Sequence, residues 1–149
     1  MPKMPRVQKV VLPILRGHND LENQVASGPL GANWPGLTIG TWGEDIDYRS
    51  FPHVNIRRVG GEPHETRPLE LDLPVIEMTA YTDVGLPETE DLYQECWEAL
   101  FLAWKRQTQT PYGYLHSVLP TMGATQFSSL YAASWRVQGL IRLGLRPPR

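Results

Sequence analysis

The 149-residue chain predicts an α+β fold, a mixed or antiparallel sheet with its helices packed on one face. Three observations carry this. Apolar residues recur at helical spacing over residues 4–16 and 86–107, alternation with a period of two marks the segments between and after them, and the elements follow the order α-β-β-β-α-β-β. One domain, residues 1–149, is expected, large enough to bury about two thirds of its unfolded surface without disulfides or metals.

In residues 4–16, Val7, Val10, Val11, Ile14 and Leu15 fall at spacings of three, one, three and one, with Pro5 near the start. Pro13 lacks a backbone donor and is expected to bend or end this helix. Residues 18–35, with Gly28, Pro29, Gly31 and Pro35, read as a long connection with a helical turn at 20–25. So many irregular residues suggest a surface insertion or a functional loop.

The period then changes to two. Leu37, Ile39 and Thr41 alternate with Thr38, Gly40 and Trp42 in a first strand, 37–42, and Val54, Ile56 and Arg58 alternate with Asn55, Arg57 and Val59 in a second, 54–59, which Gly60 and Gly61 end. The connection 44–52 is too long for a tight hairpin turn and rich in charge and aromatics. A polar connection at 62–72 leads to a third strand, 73–81, with Ile76, Met78 and Ala80 on one side and Val75, Glu77, Thr79 and Tyr81 on the other.

Residues 86–107 form the central helix. Pro87 suits a first helical position, Glu88, Glu90 and Asp91 crowd its start, and Lys105 and Arg106 close it, as the helix dipole prefers. Leu92, Cys96, Ala99, Leu100 and Ala103 share one face, beside an aromatic edge of Tyr93, Trp97, Phe101 and Trp104; Gln94, Glu95, Glu98 and Lys105 take the far side. The apolar arc is wider than the stripe of roughly 100° that one sheet requires. Its aromatic edge therefore calls for a second partner, another helix of this chain or a neighbouring subunit.

A strand at 112–118 and a small-residue loop at 120–133 follow. The last strand, 134–146, alternates most cleanly: Trp135, Val137, Gly139, Ile141, Leu143 and Leu145 against Arg136, Gln138, Arg142 and Arg146. Pro147 and Pro148 stop pairing and leave residues 147–149 as an extended tail.

Composition excludes several classes. Hydrophobic content of 41% and a net charge of −2 suit a globular chain, and neither a membrane-length apolar run nor a secretory signal is visible. The single cysteine, Cys96, excludes an internal disulfide and reads as a small core residue. Charge is segregated, however. Lys3, Arg6, Lys9 and Arg16 stand without an acid in the first sixteen residues, and Arg136, Arg142, Arg146 and Arg149 do so in the last fourteen. The remainder holds sixteen acids against six bases. Such a pattern fits a nucleic-acid patch, head-to-tail contacts between copies, or simply solvated charge.

No catalytic constellation is present. His18, His53, His64 and His116 are scattered without metal-ligand spacing, no phosphate-binding glycine pattern or nucleophile elbow occurs, and Ser128 and Ser129 have no oriented base. Gly60, Gly61 and Gly139 fit turn geometry and close strand packing. Glu44, Asp45 and Asp47 lack the glycine and distal glutamate of a calcium loop. No enzyme, cofactor or metal is expected. A nucleic-acid-binding module is the alternative, because Arg57, Arg58, Arg136, Arg142 and Arg146 lie on strands where they could meet phosphates. Against it, the chain is slightly acidic and no helix carries a groove-reading basic face.

Four segments carry a family likeness: LPILRG at 12–17, VNIRRVGG at 54–61, DLPVIEMTAY at 72–81 and SWRVQGLIRLGLRPP at 134–148. Together they resemble the tail terminator proteins of long-tailed (siphovirus) phages, particularly those of mycobacteriophages. Residues 18–33 depart from that pattern, which passes more directly from first helix to first strand. The resemblance implies a non-enzymatic virion protein, assembled in the host cytoplasm, that forms a ring, in this family a hexamer, on the head-proximal end of the tail tube. Such a ring stops addition of tube subunits and offers a head–tail joining surface. Its partners would be further copies of itself, the major tail tube protein and a head–tail connector or stopper protein, with DNA only passing through the lumen. A head-completion or connector protein of the adjoining ring is the nearest alternative. On this reading Trp97, Phe101 and Trp104 support the subunit interface, and Asp45, Asp47, Tyr48 and Arg49 contact tube or neighbour. Arg57, Arg58 and Arg67 join them as interface candidates, and Arg142 and Arg146 make opposite-charge contacts or line the lumen.

Overall fold

A computed structural model describes residues 4–41, 51–127 and 134–149. Its elements are α1 (Val7–Arg16), α2 (Gly28–Asn33), β1 (Thr38–Thr41), β2 (His53–Pro63), β3 (Asp72–Thr82), α3 (Leu86–Lys105), β4 (Tyr114–Phe127) and β5 (Trp135–Arg146). The five strands form one mixed sheet in the order β1-β2-β3-β5-β4. Only β1 and β2 run parallel. The fold is α+β, as the periodicities predict.

Alternation decides which sheet face becomes core. Val54, Ile56, Ile76, Met78, Ala80, Val137, Ile141, Leu143 and Leu145 are all buried in a cluster with Val10, Val11 and Leu15 of α1 and Leu92, Cys96 and Leu100 of α3. α3 lies across β3, β5 and β4, and α1 lies across β1 and β2 against α3. Gly139 admits this packing: a Cβ there would stand 1.8 Å from the hydroxyl of Tyr93 on α3. The glycine therefore serves close approach of helix to sheet as well as of strand to strand, since the Met122 carbonyl oxygen of β4 would stand 2.9 Å from the same Cβ, and Tyr93 leaves the aromatic edge for the core, 4% exposed. Burial pushes its phenol up to about 12, with Cys96 adding to the effect.

Several boundaries differ from expectation for identifiable reasons. α1 continues through Pro13 to Arg16, because Leu12, Pro13, Leu15 and Arg16 are all buried. Gly17, at φ 77°, then closes the helix by donating to the Pro13 carbonyl. The turn at 20–25 is not helical. Asp20 and Asn23 accept hydrogen bonds from the backbone N–H groups two residues on, Glu22 at 3.0 Å and Val25 at 3.1 Å, an arrangement that competes with a helical ladder. The helix in this region is α2, with Pro29 in its first turn.

Gly60 and Gly61 do not end β2. The strand shifts register between Arg58 and Gly60 and continues to Pro63, paired with Asp72. Gly61 has φ 94° and lies where a Cβ would come within 2.2 Å of the Leu73 carbonyl oxygen, so a side chain is barred there. β4 is also longer than expected. Residues 120–127 are not loop but pair with β5 through further register shifts, since β5 offers ladder partners that small and polar residues accept. The central helix ends at Lys105, two residues early.

Candidate interface surfaces

The segment between α1 and β1 is built into the molecule by one buried side chain. Arg16, 2% exposed, donates from Nε and one terminal nitrogen to the Ile39 carbonyl at 2.9 and 2.6 Å, and from the other to the Leu21 carbonyl at 3.0 Å. Ser27 donates its N–H back to the Arg16 carbonyl at 2.7 Å, and Val25 bridges Thr38 in antiparallel sense. The outer edge of β1 is thereby covered, which protects an otherwise open sheet edge. α2 is held in turn by Glu95, which accepts hydrogen bonds from Asn33 Nδ2 at 2.8 Å and from the Trp34 indole N–H. Glu95, placed by periodicity on the solvent side of α3, is half-buried in this contact.

Between α1, α2 and α3 this packing leaves an open groove of about 550 Å³. Pro13, Ile14, Leu30, Ala99, Leu102 and Ala103 supply apolar lining, and His18, Glu98 and Arg106 supply charge or hydrogen-bonding groups. Leu102 is 44% exposed there. Sequence reasoning misses this groove because its walls come from separate segments. Its one legible signal is Leu102, an aliphatic residue on the polar side of the helix.

On the flank of α3 away from the groove, the predicted aromatic edge forms. Trp97 stacks on Phe101 with ring centroids 5.2 Å apart and planes 19° from parallel. Phe101 meets Trp104 edge-on at 5.5 Å, and Lys105 Nζ lies 4.0 Å above the Trp104 ring. All three rings are half-buried. The helical neighbour of α3, α1, borders the Ala99 and Ala103 flank instead.

β2 and β3 project as a hairpin arm whose residues 58–63 and 65–70 are exposed. Its base is clamped by Arg58, which reaches Asp72 with both terminal nitrogens, at 2.8 and 3.3 Å, and the Gly60 carbonyl at 3.1 Å with Nε. Its tip is ordered by His64 Nδ1, which accepts from the N–H groups of Thr66 and Arg67, and by Arg67 lying 3.9 Å from Glu70. On this tip stands Leu69, 76% exposed.

The face of the sheet opposite α1 and α3, which among the described residues carries no helix, presents the polar sides of the same strands. Arg57 pairs there with Glu77 at 3.0 Å, so Arg57 and Arg58 are each engaged by an acid within the chain. Arg136 lies over the Phe127 ring at 5.2 Å. Arg142 is exposed, in register between Val75 and Leu119. Arg146 stands opposite Tyr114 at the end of the sheet, where Arg149 also covers the Tyr114 ring. Burial alone would raise the Tyr114 phenol, but hydrogen bonds and charge from Arg149 and Arg146 outweigh it and bring its pKa below the ordinary value.

The predicted candidates are thus distributed over separate surfaces: Trp97, Phe101 and Trp104 on α3, Arg58 and Arg67 on the arm, Arg57, Arg142 and Arg146 on the sheet face opposite α1 and α3. Asp45, Asp47, Tyr48 and Arg49 lie outside the described residues. Among the described residues no cluster of three or more His, Cys, Asp or Glu could hold a metal ion.

Comparison with known proteins decides which kind of molecule carries these surfaces. The model of the phage tail termination protein family matches residues 3–149. The chain belongs to that family. It is 53% identical to the gene 22 protein of Mycobacterium phage L5 and 54% identical to the gene 22 protein of Mycobacterium phage D29. Each match spans 149 residues, all of this chain and 98% of the relative. The tail termination family match runs through residues 18–33, the segment that departs from the expected pattern. A chain from a virion of a native gene transfer agent particle shares the fold, with a TM-score of 0.56 at 13% identity over 94% of both chains. As a member of the tail termination family, the protein is a structural component of a phage virion.

Proposed function

We propose that copies of this chain, six in number, close into a ring that caps the head-proximal end of the tail tube. The ring stops addition of tube subunits and presents a joining surface to the head–tail connector. The observation that carries this reading is the family match along almost the whole chain. The disposition of surfaces supports it. With the helices on one side of the sheet, the opposite face, bearing exposed Arg142 and the Arg146 cluster, is suited to line a lumen through which DNA passes without base recognition. The arm bearing Arg58 and Arg67, and the Asp45, Asp47, Tyr48 and Arg49 segment, contact tube or neighbour. Trp97, Phe101 and Trp104 stiffen the helix flank that faces another subunit.

The test is to add the purified protein to polymerising tail-tube subunits and image the products. Tubes shortened in proportion to added protein, with rings on one end, are expected. Tubes of unchanged length with bare ends would overturn the reading.

A further inference from the structure

We propose that the tip of the β2–β3 arm of one copy seats in the groove between α1, α2 and α3 of the next copy. This rests on the ring reading and names the contact that would close it. Three observations converge. The arm is pre-organised by its own hydrogen bonds, yet its tip carries an aliphatic side chain, Leu69, that packs on nothing sufficient to cover it. The groove holds the reciprocal feature, Leu102 exposed over a floor of Ala99 and Ala103. The charges match as well: Glu98 on α3 and Arg106 just past its end are separated by about 12 Å of helix rise, and the tip carries Arg67 beside Glu65 and Glu70. Arg67 can meet Glu98 while an acid of the tip meets Arg106.

A projection and a cleft on different parts of one chain make a heterologous contact, the kind that generates a closed ring when its rotation closes. The inference also assigns work to residues 18–33, which build one wall of the groove. The edge of β4 is a weaker candidate for the contact, because its register shifts and Pro120 blunt strand pairing.

The experiment compares Leu69→Asp, Leu102→Asp and the parent by sedimentation, alone and with tube subunits. Both positions are exposed, so both variants should melt like the parent. Each is expected to raise the concentration needed for ring formation about tenfold or more. Glu98→Arg should weaken assembly and Arg67→Glu should restore it. A Leu69→Cys, Leu102→Cys double variant should link successive copies under oxidation, with Cys96 buried and silent. Rings that form as in the parent despite both aspartates, or rings of the double cysteine variant that stay unlinked under oxidation, overturn this inference and leave the ring reading standing. A parent that neither assembles nor binds tube ends removes both.

Discussion

Tyr93 and Gly139 show how one missing Cβ sets the height of a helix above a sheet. Gly139→Ala places a methyl in the space of the Tyr93 hydroxyl, and overpacking of this kind costs about 1–3 kcal/mol. A urea melt should show that loss, and Tyr93→Phe in the same background should recover part of it, since the hydroxyl is the nearest atom removed. Full stability of the single variant would refute the close approach. Cys96 makes a second residue-scale prediction. Burial pushes its thiol up to about 12, with the charge of Glu95 adding to the effect. At pH 8 only roughly one thiol in 10⁴ is then ionised, and the thiolate is the nucleophile. A disulfide reagent should label the unfolded chain at once and the folded chain only as fast as it opens.

Among the elements, the segment between α1 and β1 depends most on a single side chain. Arg16→Met keeps the unbranched stem but strips donors from the Ile39 and Leu21 carbonyls. A loss of about 3 kcal/mol is expected, since hydrogen bonds from charged groups contribute about 1.5–3 kcal/mol. The same variant should gain protease cleavage within residues 18–27, where backbone bonds to β1 and Arg16 now hold the chain. Unchanged cleavage would mean that Glu95 and the Val25 bridge hold the segment without Arg16. β4 teaches a related point about edges. It is long, exposed and interrupted by register shifts, the form a sheet edge takes when unwanted pairing must be avoided.

At the scale of the molecule, the half-buried aromatic edge of α3 separates folding from assembly. Trp97→Ala should cost about 2 kcal/mol, less than the 3–5 kcal/mol of a fully buried aromatic, because part of the ring is already wet. If this flank faces another subunit, the variant should remain folded by circular dichroism while ring formation or tube capping falls. Normal capping by the folded variant would confine Trp97 to a packing role. The surfaces themselves point in different directions: an arm, a groove among the helices, and arginines on the sheet face opposite α1 and α3.

Periodicity in the chain was sufficient for the fold class, the buried faces of β3 and β5, the central helix with its aromatic edge, and the strand segments that carry the family likeness. These are local properties, since a repeat of 2 or 3.6 residues commits each side chain to a face before any partner is chosen. What tertiary contact alone decided is everything that joins distant segments. Pro13 stayed helical because its neighbours found a core, and Glu95 turned from solvent to grip Asn33 and Trp34. Residues 120–127 became strand because β5 was beside them, and the groove arose from walls far apart in sequence. Backbone groups and charges take whichever partner the finished packing brings within reach, and that partner is invisible to any short window of sequence.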